Sequence, residues 1–260
     1  MIAIVSPTHK KELSTLEFRR LRITIQNNSR FEHYFLVPDN LETSQLRKQF
    51  PRSQYIKFPS FYFQSVMTYC NLMLKAELYE TFISLGYKSI LIAQTDSFVI
   101  RNIQPLAQTS YDYIGASWNP PWRIHDGYIR YFVNRGFPFN KLPTETIASG
   151  NGGLSWRRTE AMKEITEWFQ DYFIRRKFYK GGRLIMNEDL IIAFGCRKLG
   201  FNVPDSNEAN SIFVESIPVH SIDRGIVYGY HGLNKYQFNM EEILILDAEK
   251  SLGISLYENS

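Results

Sequence analysis

Short apolar runs alternate with amphipathic stretches through the first hundred residues. Residues 2–6, 33–37, 54–58 and 88–93 are apolar runs bounded by turn-forming residues, the pattern of buried strands. Between the first two, Ser14-Thr15-Leu16-Glu17 forms a capping box that opens a helix with Phe18, Leu21 and Ile25 on one stripe. Residues 44–50 carry a short helical pattern, and Met67, Cys70, Leu74, Leu78, Phe82 and Leu85 recur at spacings of three and four in a helix that Gly86 closes. Strand and helix taking turns predict an α/β fold, with a mixed, mostly parallel sheet flanked by helices. In such sheets ligands gather at the carboxyl ends of the strands. Beyond residue 86 the texture changes. Residues 97–100 read as extended, 118–150 as a long loop rich in Pro, Gly and aromatic residues, and 190–194 as the body of another helix.

Composition narrows the class. The chain has 260 residues, 44% hydrophobic and 22% charged, enough for one substantial core, and no linker or repeat divides it, so a single domain over 1–260 is expected. No apolar run approaches the roughly 18 residues of a membrane span, residues 1–5 lack the basic start of a secretory signal, and Cys70 and Cys196 sit in helical patterns without paired spacing. The expected location is the cytoplasm. The net charge of +4 is uneven: residues 239–260 carry Glu241, Glu242, Asp247, Glu249 and Glu258 against Lys250 alone, a net −4 that leaves +8 upstream. A body of that sign suits anionic small molecules or an anionic membrane surface. Nucleic acid is not expected, because the basic residues come in short scattered groups that read mostly as solvated faces. Of these, Arg157, Arg158, Arg175, Arg176 and Lys177 are the candidates for peripheral contact with a membrane. Aromatics at 15% suit either a bulky core or carbohydrate stacking.

Several positions carry possible chemistry. Gly86 is the first glycine, so the opening strand-loop-helix unit has none of the glycines that phosphate-binding dinucleotide or P-loop motifs need. Gln94-Thr95-Asp96 follows a buried strand, placing the Asp96 carboxylate at the ligand-binding edge, either for a divalent cation or simply to satisfy a turn. Gly150-Asn151-Gly152-Gly153 allows a tight turn or the close approach of a ligand. Asn187-Glu188-Asp189 occupies the start of a helix, where carboxylates stabilise the dipole and Asn187 is an N-cap candidate, but where Asp189, or Glu188 in its place, is also positioned for acid–base work. His231 follows a turn-rich run and is either a metal or diphosphate ligand or a plain buried histidine, while His9 in the first loop is within reach of a nucleotide.

Taken in order, Tyr69-Cys70-Asn71-Leu72-Met73-Leu74, Ile90-Leu91-Ile92-Ala93-Gln94-Thr95-Asp96, Asp112-Tyr113-Ile114-Gly115-Ala116, Gly150-Asn151-Gly152-Gly153-Leu154-Ser155 and Glu188-Asp189 resemble an uncharacterised bacterial glycosyltransferase-like family over roughly residues 55–235. The set is also similar to the broader GT-A glycosyltransferase plan, which has an Asp-x-Asp metal motif, a glycine-rich segment, a Glu-Asp pair and a late histidine. The resemblance implies a GT-A-like, Rossmann-like sheet. It also implies transfer of a sugar from a nucleotide-sugar donor to a glycan or glycolipid acceptor in bacterial surface polysaccharide synthesis; a single direct displacement would invert the anomeric centre, and retention stays open. Asp96 and His231 would then hold Mn2+ or Mg2+, Asp189 would be the base, and Ser6, Pro7, Thr8, Pro38, Asp39, Gln94 and Thr95 would border the nucleotide with Asp96. Trp118, Asn151, Gly152, Gly153 and Trp156 would face the sugars. The sequence departs from the plan at Gln94, which stands where the first Asp of Asp-x-Asp belongs and supplies an amide in place of an anionic ligand. Two other readings stay open: a sugar-1-phosphate nucleotidyltransferase, for which the loop after the first strand lacks glycine, and a non-catalytic carbohydrate-binding protein.

Overall fold

The structure is a computed structural model that describes residues 1–125, 144–176, 187–215, 226–233 and 238–254. The chain opens with β1 (Ile2–Pro7), α1 (Thr15–Asn27), β2 (Glu32–Pro38), α2 (Ser44–Gln49), β3 (Gln54–Phe58), α3 (Val66–Met73), α4 (Ala76–Ser84) and β4 (Ser89–Ala93). It continues through β5 (Ser97–Val99), β6 (Tyr113–Gly115), β7 (Ser117–His125), β8 (Thr144–Ser149), β9 (Leu154–Arg158) and α5 (Thr159–Arg176). The last elements are α6 (Glu188–Leu199), α7 (Ser206–Ile212), β10 (Phe213–Val214), β11 (Gly229–His231) and α8 (Phe238–Ser251).

The central sheet has the order β3-β2-β1-β4-β9-β6. Its first four strands are parallel, and β9 joins antiparallel to both β4 and β6. Alternate side chains of each central strand go to opposite faces, and both faces are covered, which is why the strands read as continuous apolar runs. Ala3, Val5, Ile90 and Ile92 join the cluster beneath α3–α6, while Ile2, Ile4, Leu91 and Ala93 join the cluster on the other side. From β1 the chain winds outward one way through β2 and β3, and β4 lies on β1's other edge. The switch point of the sheet therefore falls between the carboxyl ends of β1 and β4.

Most boundaries follow the local signals. Ser14 caps α1 through a reciprocal capping box with Glu17, and Gly86 takes φ +85° after α4. The single helix expected over 67–85 is instead two. Lys75 is extended at φ −94°, ψ 128°, and the Met73 carbonyl freed by the break accepts the Tyr79 hydroxyl at 2.9 Å. The 118–150 segment is also not all loop: β7 and β8 pair antiparallel, with a register shift between Ser117 and Trp122 that spans Asn119-Pro120-Pro121. Prolines lack a ladder donor and are tolerated at such an irregularity. Residues 126–143 lie outside the described residues.

The basic pairs are not the solvated faces that the charge pattern suggests. Arg19 binds Glu249 and Glu242 at 2.7–2.8 Å, and buried Arg20 binds Glu241 at 2.8 Å, so the acidic C-terminal helix α8 is docked on α1 by charge. Arg157 is fully buried in β9 and cannot touch a membrane, and Arg158 is tied to the carbonyls of Thr109 and Tyr111. The side chains of Arg175, Arg176 and Lys177 lie outside the described residues. Among the described residues no helix is long and apolar enough to cross a membrane.

Trp156 also departs from its expected place. It alternates with Ser155 and Arg157 along β9, so it falls on the face with Leu154, Leu91 and Ile114, with no exposed surface on which a sugar could stack. We predict that Trp156→Ala lowers unfolding stability by about 3–5 kcal/mol, as for a large buried aromatic. Urea denaturation checks this, and an unchanged midpoint would contradict the core assignment.

Candidate functional site

At the switch point lies a cavity of about 470 Å³. Pro7, Thr8, His9 and Lys10 come to it from the end of β1, Gln94, Thr95 and Asp96 from the end of β4, Glu17 from α1, and Phe63 to Val66 with Tyr69 from the turn into α3. Five of the residues assigned to the nucleotide, Pro7, Thr8, Gln94, Thr95 and Asp96, thus share one wall, and His9 joins them. The other three do not. Ser6 is buried between strands, its hydroxyl 2.9 Å from Nε2 of His33. Pro38 pairs with Phe58 in the β2–β3 ladder, and Asp39 beyond it accepts the Ser60 amide at 3.1 Å, outside the cavity lining.

Local bonds set the post-β4 segment rigidly. The Gln94 amide donates to the Gly153 carbonyl at 3.0 Å, and the Ser97 amide and hydroxyl both donate to the Gln94 carbonyl. The Gln94 side chain donates to the Tyr69 hydroxyl at 3.1 Å, so it braces α3. Thr95 Oγ1 donates to Glu17 Oε1 at 2.7 Å, and Lys10 Nζ meets the same oxygen at 2.8 Å. Burial alone raises the Glu17 pKa, but Lys10, Thr95 and Ser14 outweigh it and hold the carboxyl below its ordinary value. The capping-box glutamate therefore doubles as a charged wall of the cavity, a role hidden in the sequence by its obvious local one.

A second, three-stranded sheet brings the late histidine to Asp96. β11 pairs antiparallel with β5, setting His231 opposite Ser97, and the Gly232 amide donates to the Asp96 carbonyl at 3.0 Å. β10 pairs parallel with β11, so Glu215, one residue past β10, arrives beside the same histidine. His231 Nε2 is 3.2 Å from Asp96 Oδ1, and Nδ1 is 3.2 Å from Glu215 Oε1. Neither contact is aligned as a hydrogen bond, so both nitrogens of a ring only 6% exposed have none. Burial works against the charged imidazole, but Asp96 and Glu215 prevail and hold its pKa up to about 9. The two carboxylates lie at different ring nitrogens, and among the described residues no three His, Cys, Asp or Glu side chains converge on one metal position. Oxygen and imidazole donors with unsatisfied nitrogens nevertheless fit a divalent cation that takes its remaining ligands from a diphosphate and water.

The glycines explain how the other half of the site reaches this one. A Cβ on Gly153 would overlap the His231 ring, and a Cβ on Gly152 would lie 2.5 Å from Glu188 Oε1 and 3.0 Å from the Asp189 Cβ. These residues are glycine so that site side chains can press against the backbone from both sides. Asn151 holds the turn, its Oδ1 accepting the Gly153 amide at 3.0 Å. Trp118 is half-buried with its ring edge near Gly150, crossing Trp122 at 78°.

Beneath Gly152 is a buried charge cluster that the sequence did not reveal. Arg157 bonds Ser155 Oγ, the Tyr79 hydroxyl and the Gly152 carbonyl, and stands 3.5 Å from Glu188. Glu188 also accepts the Cys70 thiol at 3.0 Å and is 6% exposed, which makes it a core partner of Arg157, and neither Glu188 nor Asp189 is among the residues lining the cavity. Asn187 makes no side-chain cap. Asp189 is half-buried, and its Oδ1 accepts the Leu190 amide at 2.7 Å. Burial, reinforced by neighbouring Glu188, pushes its pKa up to about 7, with the Leu190 and Gly152 backbone groups and Arg157 pulling the other way. A carboxyl so placed exchanges a proton near neutrality, as a general base must.

None of the curated proteins matches the chain. Among solved structures, a galactosyltransferase, LgtC, in complex with donor and acceptor sugar analogs shares the fold over 98% of both chains, at 12% identity and a TM-score of 0.53. Mouse xyloside xylosyltransferase 1, apo form, aligns over 88% of this chain and 96% of its own at 12% identity and 0.49. A 4-diphosphocytidyl-2C-methyl-D-erythritol synthase aligns over 78% and 87% at 14% identity and 0.41. On the first of these matches, the mixed, mostly parallel sheet with flanking helices is that of the GT-A glycosyltransferase fold. Residues 52–231 match a family model over well over half of the chain, a stretch that contains Asp96, Gly152, Asp189 and His231, and this protein therefore belongs to the family described as protein of unknown function, DUF5672.

Proposed function

We propose that the chain is a glycosyltransferase that moves a sugar from a nucleotide-sugar donor to a hydroxyl of a glycan or glycolipid acceptor. The observation that carries this reading is the convergence on Gly152-Gly153. The glycines pack against Asp189, poised to exchange a proton, on one side and against the His231 ring, 3.2 Å from cavity-lining Asp96, on the other. The fold, shared with a galactosyltransferase holding donor and acceptor sugar analogs, agrees with it.

In this reading the nucleotide lies in the cavity at the ends of β1 and β4, bordered by Pro7, Thr8 and Thr95, with its diphosphate toward Asp96 and His231. A bound Mn2+ or Mg2+ would neutralise charge developing on the leaving diphosphate. Asp96 and His231 are the residues to hold it. Lys10 at the cavity wall is a cation able to approach the phosphates, released from Glu17 as they arrive. Glycosyl transfer passes through a cation-like sugar, so the acceptor hydroxyl needs to lose its proton only late, and a carboxylate with a raised pKa suffices for that step. Asp189 is that base. A single displacement by the acceptor inverts the anomeric carbon, which NMR of the product's anomeric proton reads directly.

Asp189 has opposing effects on stability and activity. Its folded pKa of about 7 lies above the ordinary 3.8, so the folded state binds the proton more tightly and loses stability as pH rises between those values. We predict that Asp189→Asn removes this penalty and raises Tm at pH 8 by about 2–4 °C, equivalent to about 1 kcal/mol for a chain of this length. The same variant should lose turnover by about 10²–10⁴-fold. Wild-type turnover should fall as pH drops below about 7 as the base protonates. Calorimetric scans and a pH–rate profile measure these, and near-normal turnover in Asp189→Asn would remove the base.

Asp96→Asn keeps shape but removes the charge beside His231. It should weaken UDP or GDP binding in the presence of Mn2+ by at least about tenfold, the worth of one charge-assisted contact. Titration calorimetry separates the outcomes: equal affinity in wild type and variant removes Asp96 from the donor site, and binding of free glycan without nucleotide would favour a carbohydrate-binding protein.

A further inference from the structure

His231 presents two problems that one residue solves. Its ring is 6% exposed and pressed against Gly153, so it cannot swing toward the glycine, yet neither nitrogen has a hydrogen bond. A buried imidazole left this way points to a missing ligand on at least one side. The Nε2 side is where Asp96 turns from the cavity wall, 3.2 Å away. On the Nδ1 side stands Glu215, also at 3.2 Å and mostly buried, whose other oxygen has no hydrogen bond either. Gln94, on the same cavity, has its side-chain amide engaged with Tyr69.

We propose that Glu215 is a positioning residue that holds His231 by Nδ1 so that Nε2 is presented beside Asp96 to a divalent cation bound with the donor diphosphate. The assignment rests on the glycosyltransferase reading for the identity of that ligand. It does not rest on it for the orientation of the ring. A carboxylate behind the imidazole fixes which nitrogen keeps the proton and makes the other a stronger donor, which is how outer partners tune metal-bound histidines. Glu215 cannot itself join Asp96 at the cation, because the two carboxylates face different ring nitrogens and no three such side chains converge among the described residues. The only sequence signal is its position one residue beyond Phe213-Val214, a strand of two residues, which is too short to be read without β11 beside it.

The test uses the full chain with Mn2+ and UDP or GDP as probes. Mn2+ affinity in the presence of nucleotide is measured by electron paramagnetic resonance, and the His231 proton position by 15N NMR at pH 10 without ligand. We expect Glu215→Ala to weaken Mn2+ binding by about 10- to 100-fold, comparable to loss of other outer-sphere partners. Glu215→Gln keeps an acceptor oxygen at the same reach and should stay within about threefold of wild type. Wild type should carry its proton on Nδ1, and Glu215→Ala should shift it toward Nε2. Unchanged Mn2+ affinity in Glu215→Ala, equal losses in both variants, or a wild-type proton on Nε2 would each overturn the assignment. If wild type binds no Mn2+ with either nucleotide, the cation and the donor reading both fail, while the 15N measurement still decides whether Glu215 holds the ring.

Discussion

Two adjacent missing side chains hold the site together. Gly152 and Gly153 stand in the turn before β9, and the space a side chain would take at each is already filled. Glu188, Asp189 and Arg157 press on one side, and the His231 ring on the other. A methyl group at either position would displace a charged side chain that is itself locked in place. The arrangement sets a raised-pKa carboxyl from α6 and an imidazole from the small sheet of β5, β10 and β11 against two adjacent residues of one turn. Three distant stretches of chain meet there because the backbone is thin enough to let them.

Buried charge surrounds this contact, at a cost. Taking ions out of water is expensive, and a buried pair seldom stabilises a fold more than well-packed apolar residues would. Arg157 with Glu188 and Arg20 with Glu241 are such pairs, and each lies directly behind a site residue. Arg157 reaches the Gly152 carbonyl, and Glu188 raises the Asp189 pKa. Arg20 approaches the Thr95 carbonyl at 3.4 Å, next to Asp96. Their placement behind the working groups is consistent with ions that position and tune, and the long reach of Arg157 to Tyr79 extends that hold to the break between α3 and α4, where Tyr79 in turn caps Met73.

The parallel half of the sheet was legible because its signals are local. A strand buried on both faces is an apolar run, a capping box is four consecutive residues, and Gly86 after α4 is a single residue at positive φ. The carboxyl edge of the sheet followed from the strand pattern, and Thr8 and Asp96 both line the cavity there. The same reasoning failed for Trp156 and Arg157. An aromatic and a basic residue next to glycines look exposed and functional, and only the pairing of β9 between β4 and β6 shows that neither side chain reaches solvent.

By itself, the sequence determined most of the elements and the class of fold, because propensity, capping and hydrophobic period act within a few residues. It also singled out Asp96, Asp189 and His231 as groups in unusual settings. Only the tertiary structure decided what those groups meet: that Glu188 turns inward to Arg157 and Cys70, that Gln94 braces Tyr69, and that Glu215 stands behind His231. These are contacts between segments tens to more than a hundred residues apart. Their geometry is set by strand register and by which side chains the glycines let close, and neither quantity is carried by any local stretch of the chain.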